Sequence, residues 1–392
     1  MTTLSNKASS SRKILIITRN LPPLVGGMER LNWHMADELS KYTEVKVIGP
    51  RGSKKLKPKN IKLSEAPLKP LPLFMFVAFI KSIWFALIDR PDVILAGSGL
   101  TAPLAWFTSK LCGAQSIAYL HGFDITVPKK SYQIFWIPFF KKLDHIIVNS
   151  RPTKVLASNA GIREEIISIV YPGVELPTAF QPLEKVQAFR QTYNLKNKKI
   201  LLSVGRLTTR KGLKEFVKYS LPEIVKHEPN TILVVVGESP RNSLAAGMQT
   251  QEEILKVARN HKIESHIVFL GVITDKEQLA IVYEVSDIHV FPVRHIPDDP
   301  EGFGMVAIEA AAHGLPTVGF ATGGVVDAVK DGVSGYLVER NNYIKLSKQI
   351  ILLLESPLSK DNIQNKDDIQ NFAKQFEWFN FGRSLHYVVE NL

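Results

Sequence analysis

The stretch EGFGMVAIE, Glu301–Glu309, lies between two short apolar runs, IHVFP (Ile288–Pro292) and PTVGF (Pro316–Phe320). The alanines of Ala307–Ala312 favour helix, while Gly302 and Gly304 permit backbone angles and close approaches that a side chain forbids. The stretch therefore reads as loop, tight turn and helix start between two strands. A helix start leaves its first N–H groups unpaired and carries partial positive charge, which suits a phosphate. Like charges repel, so Glu301 and Glu309 beside such a site serve something else, and carboxylates are suited to accepting hydrogen bonds from hydroxyls. A ligand that carries both phosphate and hydroxyl groups is a sugar nucleotide.

The same alternation of strand and helix fills the chain. In the first half the apolar runs are KILIIT (Lys13–Thr18), VKVIG (Val45–Gly49), DVILAG (Asp92–Gly97), SIAYLHG (Ser116–Gly122), HIIVNS (His145–Ser150) and ISIVYPG (Ile167–Gly173). The second half adds ILLSVG (Ile200–Gly205), ILVVVG (Ile232–Gly237), HIVFLG (His266–Gly271) and GYLVE (Gly335–Glu339) to the two around the opening stretch. Nearly continuous apolar runs suit parallel sheets covered on both faces. A chain of 392 residues is too long for one ordinary core. The expected fold class is α/β, with two doubly wound Rossmann-like domains facing across a cleft. The expected boundaries are a disordered tail at 1–12, a first domain at 13–180 and a second at 190–365. The proline-bearing GVELPTAFQPLEK (Gly173–Lys185) reads as the linker. Ligands of open α/β sheets bind outside the carboxyl ends of the strands.

Composition narrows the class. Hydrophobic residues make up 45% and charged residues 22%, which is globular material rather than a disordered chain. Cys112 is the only cysteine, which excludes an internal disulfide and a multi-cysteine metal site and fits a reducing compartment. Lys and Arg number 49 against 37 Asp and Glu, and the resulting charge of +12 favours a polyanion or an anionic membrane surface. No nucleic-acid-binding motif accompanies that charge. The first residues, MTTLSNKASSSRK, lack the apolar core of a signal peptide. There is no G-x-x-x-x-G-K-[ST] loop, no H-E-x-x-H pair and no G-x-S-x-G elbow. AGSGLTAP (Ala96–Pro103), with Asp124 beyond it, matches a nicotinamide-dinucleotide fingerprint and would make the chain an oxidoreductase. The match follows a middle strand, however, and leaves the opening stretch unexplained.

Three further motifs end strands. SVGRLTTRKG places Gly205, Arg206, Lys211 and Gly212 between a strand and a helix, where two cations would clamp a diphosphate; alone, the run also reads as a solvated basic turn. His121 in YLHGFD closes a strand, as a ring projecting to a ligand or as a structural histidine, and Asp124 is placed to cap the next helix. Gly26 and Gly27 in PPLVGGMER follow the first strand, either as plain turn chemistry or as backbone closely approached by a ligand.

GRLTTRKG followed by EGFGMVAIE, with HGFD and PPLVGG earlier, resembles the family 4 glycosyltransferases, retaining enzymes of GT-B architecture. The resemblance runs from about Ile14 onward. It implies transfer of a hexose from a nucleoside-diphosphate sugar to a glycan or lipid-linked acceptor, with the second domain holding the donor and the first the acceptor. It implies that Glu309 takes the ribose hydroxyls and Glu301 the donor sugar. The amides around Phe303, Gly304 and Met305 would face sugar and phosphate, Arg206 and Lys211 the leaving diphosphate, and His121 the donor sugar. It also implies that the last helix, expected at 371–392, crosses back to the first domain. Backbone around Gly271 and Val272 is expected to read the base. No metal or other cofactor is required, since cations and a helix dipole do that electrostatic work, although Asp298 and Asp299 lie close to Glu301 in sequence. A non-catalytic sugar-nucleotide-binding protein is the rival reading.

Two features point to lipid. Arg51, Lys54, Lys55, Lys57, Lys59 and Lys62 precede PLPLFMFVAFIKSIWFALI (Pro70–Ile88), a stretch of nearly membrane-spanning length interrupted by Pro72 and Lys81. YQIFWIPFFKK (Tyr132–Lys142) adds aromatic residues and lysines. Together they read either as a surface docking on anionic lipid, which would put the chain on the cytoplasmic face of the cell membrane, or as a core helix with a solvated basic loop.

Overall fold

The computed structural model describes residues 12–239, 247–355 and 366–392, so the tail at 1–12 lies, apart from Arg12, outside the described residues. The chain divides into two compact units, Met1–Tyr171 with Trp378–Leu392, and Pro172–Glu377.

The first unit carries a sheet of β1 (Lys13–Ile17), β2 (Glu44–Pro50), β3 (Lys62–Ala66), β4 (Val93–Ala96), β5 (Gln115–Leu120), β6 (His145–Val148) and β7 (Ile167–Ile169). Its order is β3-β2-β1-β4-β5-β6-β7, parallel throughout. The second carries β8 (Lys199–Val204), β9 (Thr231–Val236), β10 (Ile267–Gly271), β11 (Ile288–Phe291), β12 (Thr317–Phe320) and β13 (Gly335–Val338). Their order is β10-β9-β8-β11-β12-β13, again parallel. Each order reverses beside its first strand, between β1 and β4 and between β8 and β11. At such a switch point the loops leave the carboxyl edge in opposite directions and open a crevice.

The second core shows why these runs are apolar throughout. Successive strand residues point to opposite faces. Leu201 packs with Phe216, Val217 and Ile350 on one side, while Leu202 packs with Val282, Tyr283 and Ala310 on the other. Both faces are covered, so alternation is lost and the strand is uniformly apolar.

Several expectations change. β3, KLSEA, had no apolar run to announce it; it is an edge strand whose middle residues are half-buried. The Gly173–Lys185 segment groups with the second unit, where Val174 N donates to Phe376 O at 2.6 Å and a helix begins at Leu183. The aromatic tail divides. Helix Lys366–Lys374 belongs to the second unit, whereas helix Trp378–Glu390 packs on helix Gly27–Leu39 of the first. There the Trp378 ring stacks on His34 at 3.8 Å, and Gly382 lets the backbone approach Glu38, whose Cβ would lie 2.5 Å from an added Cβ.

Helix Leu71–Asp89 is not a core helix. Phe74, Ala78, Ser82 and Ala86, four residues apart, form its buried face, and Ser82 Oγ meets Thr108 Oγ1 at 2.8 Å in the neighbouring helix Ala102–Cys112. On the opposite face Phe76, Trp84 and Leu87 are 63%, 63% and 60% exposed.

Candidate active site

In the second unit β8 is followed by Gly205, whose N–H donates to Val236 O at 2.9 Å, while Gly237 N–H donates to Gly271 O at 2.8 Å. The three glycines thus stack the ends of β8, β9 and β10, and Val272 follows, half exposed. The chain then makes a turn at Thr209–Lys211 and enters helix Leu213–Tyr219 through Gly212. Only glycine fits at 212: φ is +69°, and a Cβ would lie 2.1 Å from Pro292 O.

That turn brings Lys211 and Arg210 to Glu301. Lys211 Nζ lies 2.9 Å and Arg210 Nε 3.1 Å from Glu301 Oε2, and Arg210 also pairs with Asp299. Lys211 Nζ is 4.7 Å from the centroid of the Phe291 ring. Burial alone would raise the Glu301 pKa, but Lys211 and Arg210 outweigh it and hold the group down at about 2. Burial lowers the Lys211 pKa, and Glu301 offsets this in part. On the same strand as Phe291, His289 is pushed down to about 3 by burial and by Lys211, so its ring is neutral. Arg206 is exposed on the same loop. Of these three cations and two carboxylates, Arg206 is the one left facing solvent.

Glu301 is therefore more than the open carboxylate expected from the sequence: it is buried and tied to two cations. Arg210 was missed. Its signal was the third cation in GRLTTRKG, whose planar fork suits two carboxylates at once. Asp299, considered beside a possible metal, is committed to that guanidinium.

The EGFG loop leads into helix Met305–Ala312 through Gly304, where φ is +98° and a Cβ would lie 2.8 Å from Phe291 Cε1. Phe303 turns its ring inward, 3% exposed, against Phe376, and Gly304 is buried beside it, so of Phe303, Gly304 and Met305 only Met305, at the helix start, is partly exposed. A second glycine pair, unread from the sequence, supports the loop: Gly324 N–H donates to Glu301 O at 2.8 Å. Over a turn into the helix, Glu309 Oε2 accepts a hydrogen bond from the Tyr283 hydroxyl at 2.9 Å. β8 and β11 are neighbours, so the Arg206–Lys211 turn and the EGFG loop share one carboxyl edge.

The remaining candidates lie in the first unit. His121, 9% exposed, follows β5, and its Nε2 is 3.0 Å from Gly97 O. A carbonyl only accepts, so Nε2 is the donor in this contact. Asp124 does not cap the following helix by a side-chain bond; it accepts from His121 N–H at 3.0 Å instead. Asn32 Nδ2 also donates to Gly97 O, and a Cβ on Gly97 would lie 2.2 Å from Asn32 Oδ1. The glycine of the apparent dinucleotide fingerprint thus packs closely beneath His121. Gly26 and Gly27 open helix Gly27–Leu39, with the Glu29 carboxylate folded over Gly26 and accepting from Asn20 Nδ2 at 2.9 Å.

Known families match this arrangement. The model for "Glycosyl transferases group 1" matches residues 185–373, and that for "Glycosyltransferase Family 4" matches 25–177. A GDP-mannose-dependent alpha-(1-6)-phosphatidylinositol monomannoside mannosyltransferase of Mycolicibacterium smegmatis is 26% identical over 356 residues, covering 88% of this chain and 90% of the relative. A D-inositol 3-phosphate glycosyltransferase of Segniliparus rotundus is 33% identical over 192 residues, 49% of this chain, which spans 40% of that relative. Among solved structures, Anabaena HepE in complex with UDP and glucose superposes with a TM-score of 0.79 at 19% identity, covering 97% of this chain and 100% of the other. Sucrose-phosphate synthase of Thermosynechococcus elongatus gives 0.76 at 20% identity, covering 97% and 98%. The two matched segments fall on the two sheets described above, and the chain belongs to the family 4 glycosyltransferases, with the GT-B fold.

Proposed function

We propose that the chain is a retaining transferase that takes a hexose from a nucleoside diphosphate and passes it to a glycan or lipid-linked acceptor in polysaccharide or glycolipid synthesis. The observation that carries this reading is the grouping of Arg206, Lys211, Glu301 and a helix start on one edge of the second sheet, with Glu309 a turn further on. As the bond from the anomeric carbon to oxygen breaks, its electron pair goes to the diphosphate, where Lys211, Arg206 and the N-terminus of helix Met305–Ala312 stabilise the added charge. The acceptor oxygen bonds to the anomeric carbon on the same face and gives its proton to the leaving phosphate oxygen. Configuration is kept, and no residue forms a covalent adduct. Glu301, ionised throughout the neutral range, accepts from the donor sugar's hydroxyls. Backbone at Gly271 and Val272 meets the base. These cations supply the positive charge at the phosphates, so the reading calls for no metal.

The same reading places the chain on the cytoplasmic face of a membrane. Support comes from the exposed stripe of Phe76, Ile80, Trp84 and Leu87, with Phe107 and Leu111 also exposed on the neighbouring helix Ala102–Cys112. The Phe107 ring lies 5.3 Å from that of Phe139, and Lys142 Nζ sits 5.0 Å from the Trp106 centroid. Lys110, Lys141 and Lys142 are exposed nearby in sequence. An apolar face with lysines beside it suits anionic lipid. With one face packed in the unit and Lys81 bonded to Ser64 Oγ at 2.9 Å, the helix is suited to lie on a bilayer rather than cross it. The mannosyltransferase relative, whose name gives a phosphatidylinositol monomannoside acceptor, is consistent with this.

The test is a panel of GDP- and UDP-hexoses, read by thermal shift and by turnover. A donor at 100 times its Kd adds about 2.7 kcal/mol of stability. Stabilisation together with sugar transfer is the expected result. Stabilisation with neither transfer nor hydrolysis would make the chain a sugar-nucleotide-binding protein, and no response to any donor would overturn the reading.

A further inference from the structure

We infer that Tyr283 is the positioning residue for Glu309, presetting the carboxylate that takes the donor ribose. The inference rests on the ribose role proposed for Glu309. Tyr283 lies in helix Lys276–Val285, is 2% exposed, and donates its hydroxyl to Glu309 Oε2 at 2.9 Å. Its ring is itself held. It lies parallel to His313, with centroids 5.2 Å apart and planes within 8°. His313 Nδ1 is 3.1 Å from Glu284 Oε1, and the other oxygen of Glu284 accepts from Gln181 N–H at 2.7 Å. Burial lowers the His313 pKa and outweighs Glu284 and Glu309, which act to raise it. The ring is therefore neutral at neutral pH, with its proton on the nitrogen facing Glu284, because a carboxylate only accepts.

A glutamate on a helix turns about three side-chain torsions, and fixing them costs entropy when a ligand binds. With Oε2 held by a hydroxyl whose own ring is packed, that cost is met in folding, and an incoming hydroxyl finds the carboxylate plane already set. A buried tyrosine hydroxyl needs some acceptor in any case. A positioning role differs from mere satisfaction in one respect: its loss must be felt through the ribose hydroxyls and not elsewhere on the nucleotide.

The experiment uses the full chain as wild type, Tyr283→Phe and Glu309→Ala, titrated calorimetrically with GDP and UDP. The tighter nucleotide is then compared with its 2′-deoxy and 3′-deoxy forms. Wild type should favour the ribonucleotide over at least one deoxy form by about tenfold, and Glu309→Ala should remove that preference. Tyr283→Phe should weaken the ribonucleotide about three- to tenfold and that deoxy form by less than about twofold. The ratio is taken on one preparation, so a loss of folded material leaves it unaltered. If Tyr283→Phe weakens both nucleotides alike, or neither, the inference is wrong while the ribose role of Glu309 stands. If Glu309→Ala keeps the full preference, the underlying reading of Glu309 fails instead.

Discussion

Lys211 is a cation taken out of water and kept charged by one carboxylate. Its side chain is 18% exposed, and Glu301, its partner, is 10% exposed. In the proposed reaction the charge on the diphosphate grows as the sugar bond breaks, so Lys211 contributes more in the transition state than in the ground state. A charge-assisted hydrogen bond is worth roughly 1.5–3 kcal/mol. Lys211→Ala should therefore slow turnover about ten- to hundredfold, at roughly 1.36 kcal/mol per decade. It also leaves Glu301 with Arg210 as its remaining cation among these pairs, so turnover has to be expressed per folded molecule. Glu309→Ala should differ, because ribose hydroxyls do not change during the reaction. Its loss should raise the donor KM and leave kcat at saturation nearly intact. Steady-state kinetics on the two variants checks both; full turnover in Lys211→Ala with none in Glu309→Ala would reverse the assigned roles.

At the scale of elements, helix Leu71–Asp89 makes the clearest prediction. Each large apolar side chain moved from water to an apolar phase contributes about 1.5–3 kcal/mol. Phe76→Glu with Trp84→Glu should abolish co-sedimentation with vesicles containing phosphatidylglycerol, while transfer to a water-soluble acceptor survives. Wild type that stays in solution even at low salt would remove the membrane part of the account. The lysines of 51–62 are a weaker choice for that experiment. Lys57 Nζ is bonded to Ile61 O at 2.6 Å and Lys62 to Glu44 at 2.6 Å, so part of that basic run holds its own loop together. Burial decides which elements could be read in advance. β8, β9 and β11 are covered on both faces and announce themselves as apolar runs, whereas β3 lies at an edge and admits Ser64 and Glu65. At the site, residues within a local motif were legible: Arg206, Lys211, Glu301 and Glu309. Arg210 was hidden because a basic turn has no fixed spacing rule. Tyr283 was hidden because only the packing of two helices brings it to Glu309, 26 residues on.

At the scale of the whole molecule, two sheets of the same strand logic carry different tasks. The order in which each sheet is wound places its loops at a carboxyl-edge switch point, and residue choice in those loops then separates the units. The second unit gathers cations, carboxylates and a helix start. The first gathers His121, the glycines of its first loop and an exposed apolar face. A fold of this kind tolerates wide change in sequence, because its requirement is apolar runs at strand spacing; superposition on solved relatives at 19–20% identity follows from that. The central claim is that the grouping around Lys211 and Glu301 drives transfer with retained configuration. The most direct measurement is the anomeric configuration of the product, read from the one-bond carbon–hydrogen coupling at the new linkage by NMR, starting from an alpha-linked nucleoside-diphosphate hexose. The account predicts an alpha-linked product, with no sugar adduct on the protein by intact mass. A beta-linked product would contradict it.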